Sequence, residues 1–83
     1  MDTRVAIIGI IVEDFNSVET LNDILHEYRH VIIIGRMGIP YRAKNISVMS
    51  IAVDADADTI NALSGKIGKL SGVSAKTAIS GTN

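Results

Sequence analysis

The sequence predicts an α+β protein of ferredoxin-like architecture: a four-stranded antiparallel sheet with two helices on one face, in the order βαββαβ. Three observations lead there. Four apolar runs of strand length recur along the chain, and two amphipathic stretches at helical spacing separate them. The two β-α-β halves fill all 83 residues with no spare linker, so residues 1–83 read as one domain.

Val5 to Val12 (VAIIGIIV) is continuously apolar, the pattern of a strand covered on both faces. Asp14, Phe15 and Asn16 form a turn, and Asn16 followed by Glu19 is a variant capping box that starts a helix. Val18, Leu21, Ile24, Leu25 and Tyr28 share one stripe of that helix, which ends near Arg29. Val31 to about Ile39 is the second strand, and the polar stretch Pro40 to Asn45 makes a hairpin with the third, Ile46 to Val53. Asp54 to Asp58 (DADAD) holds the cap of a second helix, marked by Ile60, Leu63, Ile67 and Leu70 and ended by Gly72. Val73 to Ile79 alternates as a fourth strand, and Ser80 to Asn83 is a tail expected to fray. The first and third strands should be central; Pro40 places the second at an edge.

Composition bounds the function. The chain is 47% apolar, 20% charged and lacks cysteine, and its mean hydropathy is +0.31. A domain this short hides only roughly 60–65% of its unfolded surface. Its apolar surplus, and the two-faced first and second strands, predict a homo-oligomer, dimer or tetramer, in which another copy covers the sheet's open face. A net charge of −1 argues against direct nucleic-acid binding. No apolar run reaches the ~20 residues of a membrane span, and the N-terminus does not read as a signal peptide, so the expected location is the cytoplasm.

Candidate chemistry gathers in HEYRHVIIIGRMGIPYR, residues 26–42. Simple alternation puts Val31, Ile33, Gly35, Met37 and Ile39 toward the helices, and Ile32, Ile34, Arg36 and Gly38 on the open face. An arginine drawn into an apolar interface needs an anion. That anion is either a carboxylate of the partner subunit or a small ligand held between subunits. Gly35 and Gly38 permit close approach or a bulge. His26 and His30, four apart, have metal-ligand spacing but supply only half a site; they also suit the C-terminal end of a helix. Gly-Arg-Met-Gly spells the loop of a KH domain but lies in a strand, and DADAD lacks the glycine and glutamate of a calcium loop. Gly65 and Gly68 are costly inside a helix, and close packing against a neighbour is the expected cause. No nucleophile stands beside a base, and no buried carboxylate pair or phosphate loop is visible. The chain is therefore expected to be no enzyme and to carry no cofactor or metal.

Three segments also resemble a known family. RVAIIGIIVEDFNSVETLNDILHEY, IIGRMGIPYR and INALSGKIGKLSGVSAKTA are similar to the iron-only hydrogenase system regulators. The specific parts are Leu25-His26, Arg36-x-Gly38-x-Pro40 and the segment from Leu63 to Gly72-Val73 ahead of Lys76. The resemblance implies a single ACT-like domain, a homo-oligomer and a regulatory role near hydrogenase maturation or expression. On both lines of reasoning, the expected function is a non-catalytic transcription-related regulator that oligomerises and senses a small-molecule effector or ion at the subunit interface. Arg36, His26, Tyr41 and Gly38 are the expected ligand contacts. The alternative is a structural adaptor that docks on a protein partner through its open face or edge strand.

Overall fold

Nine consecutive residues, Arg4–Val12, form strand β1, and their burial alternates: Ala6, Ile8, Ile10 and Val12 are buried, while Val5, Ile7 and Ile11 are exposed. In the computed structural model, which describes residues 2–30 and 33–81, seven further elements follow. They are a 3-10 turn (Phe15–Ser17), α1 (Val18–Glu27), β2 (Ile33–Tyr41), a second 3-10 turn (Arg42–Lys44), β3 (Ile46–Ala55), α2 (Ala57–Gly68) and β4 (Val73–Ile79). The sheet order is β2-β3-β1-β4 with every pairing antiparallel, so β1 and β3 are central and β2 and β4 form the edges. This is the expected βαββαβ fold. Val31, Ile32, Thr82 and Asn83 lie outside the described residues, as do the facings expected for the side chains of Ile33 and Ile34.

One layer of apolar side chains joins sheet to helices. Ile8, Ile10, Ile51 and Val53 from the central strands meet Leu21 and Leu25 of α1 and Ile60, Leu63 and Ile67 of α2. Both helices thus cover the same face. Burying each such side chain contributes about 1.5–3 kcal/mol, so this layer dominates stability.

The helix starts differ from the expected caps. Asn16 caps nothing: Asp14 accepts a hydrogen bond from the Asn16 backbone N–H at 3.0 Å and opens the 3-10 turn instead. Ser17 holds the N-cap position of α1, but its hydroxyl donates to the Ser71 carbonyl at 2.7 Å and not to the helix, tying the helix start to the turn before β4. α2 is capped as expected from the DADAD run, by Asp56, whose carboxylate accepts from both the backbone N–H and the hydroxyl of Thr59. It ends at Gly68, earlier than Gly72. Gly72 serves the turn into β4, with φ of +67° and its carbonyl accepting from the Glu13 N–H at 2.7 Å. A Cβ there would stand 2.5 Å from the Asp14 Cβ, so only glycine fits this crossing.

Candidate functional site

β2 carries one residue more than its partner. Ile33 stands opposite Val53, but Gly35, not Ile34, stands opposite Ala52. From that bulge onward the alternation is inverted relative to a regular strand. Residues paired across an antiparallel ladder share a face. Arg36 opposite Ile51 and Gly38 opposite Met49 therefore lie on the helix side, whereas Met37 opposite Ser50, Ile39 opposite Val48 and Tyr41 opposite Ile46 lie on the open side. The expected placement of Arg36 on the open face, and of Met37 and Ile39 toward the helices, is overturned. The flanking Gly35 was the signal that regular alternation could fail here.

Arg36 is exposed at the outer border of the sheet, where its Nη2 donates to Asn22 Oδ1 of α1 at 2.9 Å. Among the described residues no carboxylate pairs with it. His26 lies one helical turn beyond Asn22, also exposed, and its carbonyl accepts from the Arg29 guanidinium at 2.7 Å. The structure thus brings Arg36, Asn22 and the His26 side of α1 to one border. Gly38 lies on the same side of the sheet, with the Met49 side chain 3.7 Å from where its Cβ would be. Tyr41 belongs to the opposite face, so the four expected ligand contacts do not form one cluster. Next along α1, Glu27 and Tyr28 meet Lys66 of α2: the ammonium lies 3.4 Å from Glu27 Oε1 and 5.0 Å from the Tyr28 ring centre. Hydrogen bonding to Tyr28, then the charge of Glu27, holds the Lys66 ammonium above the usual lysine range. Among the described residues no three His, Asp or Glu side chains are placed to hold a metal, and no helix is long and apolar enough to cross a membrane.

The open face is the larger feature. Rows of the register read Ile39–Val48–Ile11–Ser74, then Met37–Ser50–Gly9–Lys76, then Gly35–Ala52–Ile7–Ala78. Among the described residues seven large apolar side chains point into water from it: Val5, Ile7, Ile11, Met37, Ile39, Tyr41 and Val48, with Met37 the most exposed of these at 67% and Ile39 at 63%. At its centre Gly9 leaves a shallow, largely apolar depression of about 350 Å³, with Ile11, Val48, Ser50, Ser74 and Lys76 around it. Among the described residues nothing requires that glycine. Its φ is not positive, and a Cβ would come no nearer than 3.9 Å to any atom, the Lys76 carbonyl oxygen. Glycine inside a strand costs roughly 0.5–1 kcal/mol relative to alanine, here with no intramolecular return.

Fold and faces together define a ferredoxin-like domain with one sheet layer uncovered. The chain belongs to the TM1266-like family, described as iron-only hydrogenase system regulators, whose match spans residues 4–77. The solved structure of the uncharacterized protein TM1266 from Thermotoga maritima is similar, with a TM-score of 0.87 and 35% sequence identity over 94% of this chain and 98% of that one. No curated protein matches the chain.

Proposed function

We propose that this protein is a non-catalytic, cytoplasmic regulator of a hydrogenase system that works as a homo-oligomer, assembled through the open face of its sheet. The observation that carries the reading is the row of seven exposed apolar side chains on that face. Strands about 4.8 Å apart, rising about 3.3 Å per residue, give this face a plan area of about 500 Å². Two copies face to face would then bury more than about 1,000 Å², enough for a specific interface. A second copy of the same chain fits because most of the face is apolar, and its charges among the described residues, Lys76 and Asp54, are of opposite sign and can pair across two copies. The family description supports the regulatory role.

An effector would act by favouring one arrangement of copies over another. On the helix side, Arg36 with His26 and Gly38 offers a contact for an anion, since the guanidinium is exposed and engages only a neutral amide among the described residues. Tyr41 would contribute to the assembly face. The adaptor reading, with a partner strand added along β2, is less well supported. Pro40 cannot donate to such a strand, and exposed charge at Arg36 blunts the edge.

Sedimentation equilibrium tests the assembly. The wild type is expected as a dimer or larger at micromolar concentration, and Ile39→Glu as a folded monomer. A wild type that stays monomeric at high concentration would falsify the reading. For the helix-side contact, an anion-dependent rise in melting midpoint should be lost in Arg36→Ala; a full response in that variant removes Arg36 from the site.

A further inference from the structure

The geometry points to a second interface between copies of this chain: β4 pairs antiparallel, edge to edge, with β4 of another copy, so that two sheets continue as one. The free side of the strand carries the inference. Ser80 N–H donates to the Val5 carbonyl at 2.9 Å, and the Gly72 carbonyl accepts from the Glu13 N–H at 2.7 Å. Even-numbered residues of β4 therefore turn their backbone groups toward β1. Ala75, Thr77 and Ile79 turn theirs outward, and among the described residues no strand meets them. The opposite border is defended: β2 has Pro40, a bulge and the exposed charge of Arg36. β4 lacks all three devices. Its register to β1 runs unbroken from Val73 to Ile79, and its one charge, Lys76, belongs to the open face.

The layer above the strand says what the other chain is. α2 packs chiefly on β4, and the Thr77 hydroxyl donates to the Ser64 hydroxyl at 3.0 Å. Lys66, on the opposite side of the helix, reaches α1 through Glu27 and Tyr28. The flank that carries Ser64 thus looks outward over the free edge, and Ala57, Asn61 and Gly68 share it, with Gly65 beside them. Nothing on that flank is larger than asparagine, and a Cβ at Gly65 or Gly68 would meet no atom within 4 Å. A foreign strand added to β4 would leave this smooth flank bare. A second copy, turned about a twofold axis through Thr77 normal to the sheet, sets its own α2 alongside at the same height. Thr77 then faces its counterpart and Ala75 faces Ile79, for roughly six backbone hydrogen bonds. The paired helices run antiparallel, so Asp58 near the start of each approaches Lys69 at the end of the other. So narrow a contact falls short of the about 1,000 Å² of a stable interface, and single chains would hold one another there only near millimolar concentration. A pair joined through the open faces carries the edge twice, and engaging both edges tightens the join. The strength of the contact, though not its geometry, rests on the proposed open-face assembly.

The test is amide hydrogen exchange of the full chain, read residue by residue by NMR, with sedimentation of the same samples. In the wild type the outward amides of Ala75, Thr77 and Ile79 should be protected, and the particle should be larger than a pair. Two variants should expose those amides, speeding their exchange at least about tenfold, and stop assembly at the pair. Ala75→Pro removes an N–H that has no partner among the described residues. Gly65→Gln with Gly68→Gln fills the helix flank with better helix formers, so the fold is retained even if the proline variant fails. The amides of Lys76 and Ala78, turned toward β1, should stay slow in every folded sample and report that the sheet is intact. Fast exchange at all three outward amides in the wild type, or protection unchanged in both variants, overturns the interface. The two assembly claims fail separately. A pair that Ile39→Glu dissociates, with fast outward amides throughout, removes the edge contact alone. Protected outward amides and self-association that persist in Ile39→Glu at micromolar concentration remove the open-face assembly alone.

Discussion

Gly72 shows how much one residue can decide in this fold. Its positive φ and the 2.5 Å approach of a would-be Cβ to Asp14 act together, so Gly72→Ala should destabilise the protein by about 2–4 kcal/mol in urea unfolding. Sequence spacing correctly singles out this glycine as a stop signal but assigns it to the helix end. Position 68 ends α2, and the strain sits in the turn beyond. Asp56 is the second such residue. Hydrogen bonds from the Thr59 hydroxyl and then the Thr59 N–H favour its ionised form and hold its carboxyl below the usual aspartate range. A lowered folded-state value means that the cap's contribution is complete above the ordinary aspartate value and fades as pH falls through the lower folded one. Thermal melts should therefore lose stability below about pH 4, and Asp56→Asn, which still caps, should lack that part of the acid loss. Asp56→Ala should lower the midpoint at neutral pH by roughly 5 °C. Asn16 misleads from sequence because two acceptors stand within three positions, and which of them caps depends on where Ser71 and Gly72 arrive from the far end of the chain.

Among the elements, α2 and β2 teach opposite lessons. The buried stripe of α2 follows from its 3.6-residue period, and Leu63→Ala should cost about 2–5 kcal/mol because the site is fully enclosed. Gly65 faces outward with no atom within 4 Å of a Cβ, so the close packing expected of it does not occur within the chain. Gly65→Ala should raise stability by about 0.5–1 kcal/mol in the same unfolding assay; loss of assembly in that variant would show that a neighbouring copy packs there instead. The link from Lys66 to Tyr28 and Glu27 joins the two helices on their exposed sides. Its raised folded-state value means that it contributes below the ordinary lysine pKa and is lost only at strongly alkaline pH. β2 was legible as an edge strand, through Pro40, but its facing was not. A bulge is fixed by which hydrogen bonds the partner strand offers, and this one meets Val53 and Ala52 at the end of the hairpin away from its turn, so a glycine can announce the possibility without giving the register.

For the whole molecule, the order of elements and the sheet topology were readable because pattern, turn residues and length all agreed. The candidate site was readable only in part. Composition indicated an exposed apolar layer, and the structure shows that layer; but the Gly9 hollow emerges only when β3, β1 and β4 are laid side by side, since Lys76 and Gly9 lie far apart in the chain. The assembled state should also be sensitive to charge at the layer's middle: Ile7→Lys should abolish self-association in sedimentation while leaving the helical circular dichroism unchanged, because that side chain is 52% exposed and contacts no core. The extra residue in β2 has a further implication for descent. A relative that lost that residue would keep Gly35 opposite Ala52 and Arg36 opposite Ile51, because the turn at Arg42–Lys44 fixes the other end of the ladder, so both sides of its border strand would survive the deletion. The bulge thus absorbs a change in chain length between the helix exit and the sheet without disturbing the surface beyond it.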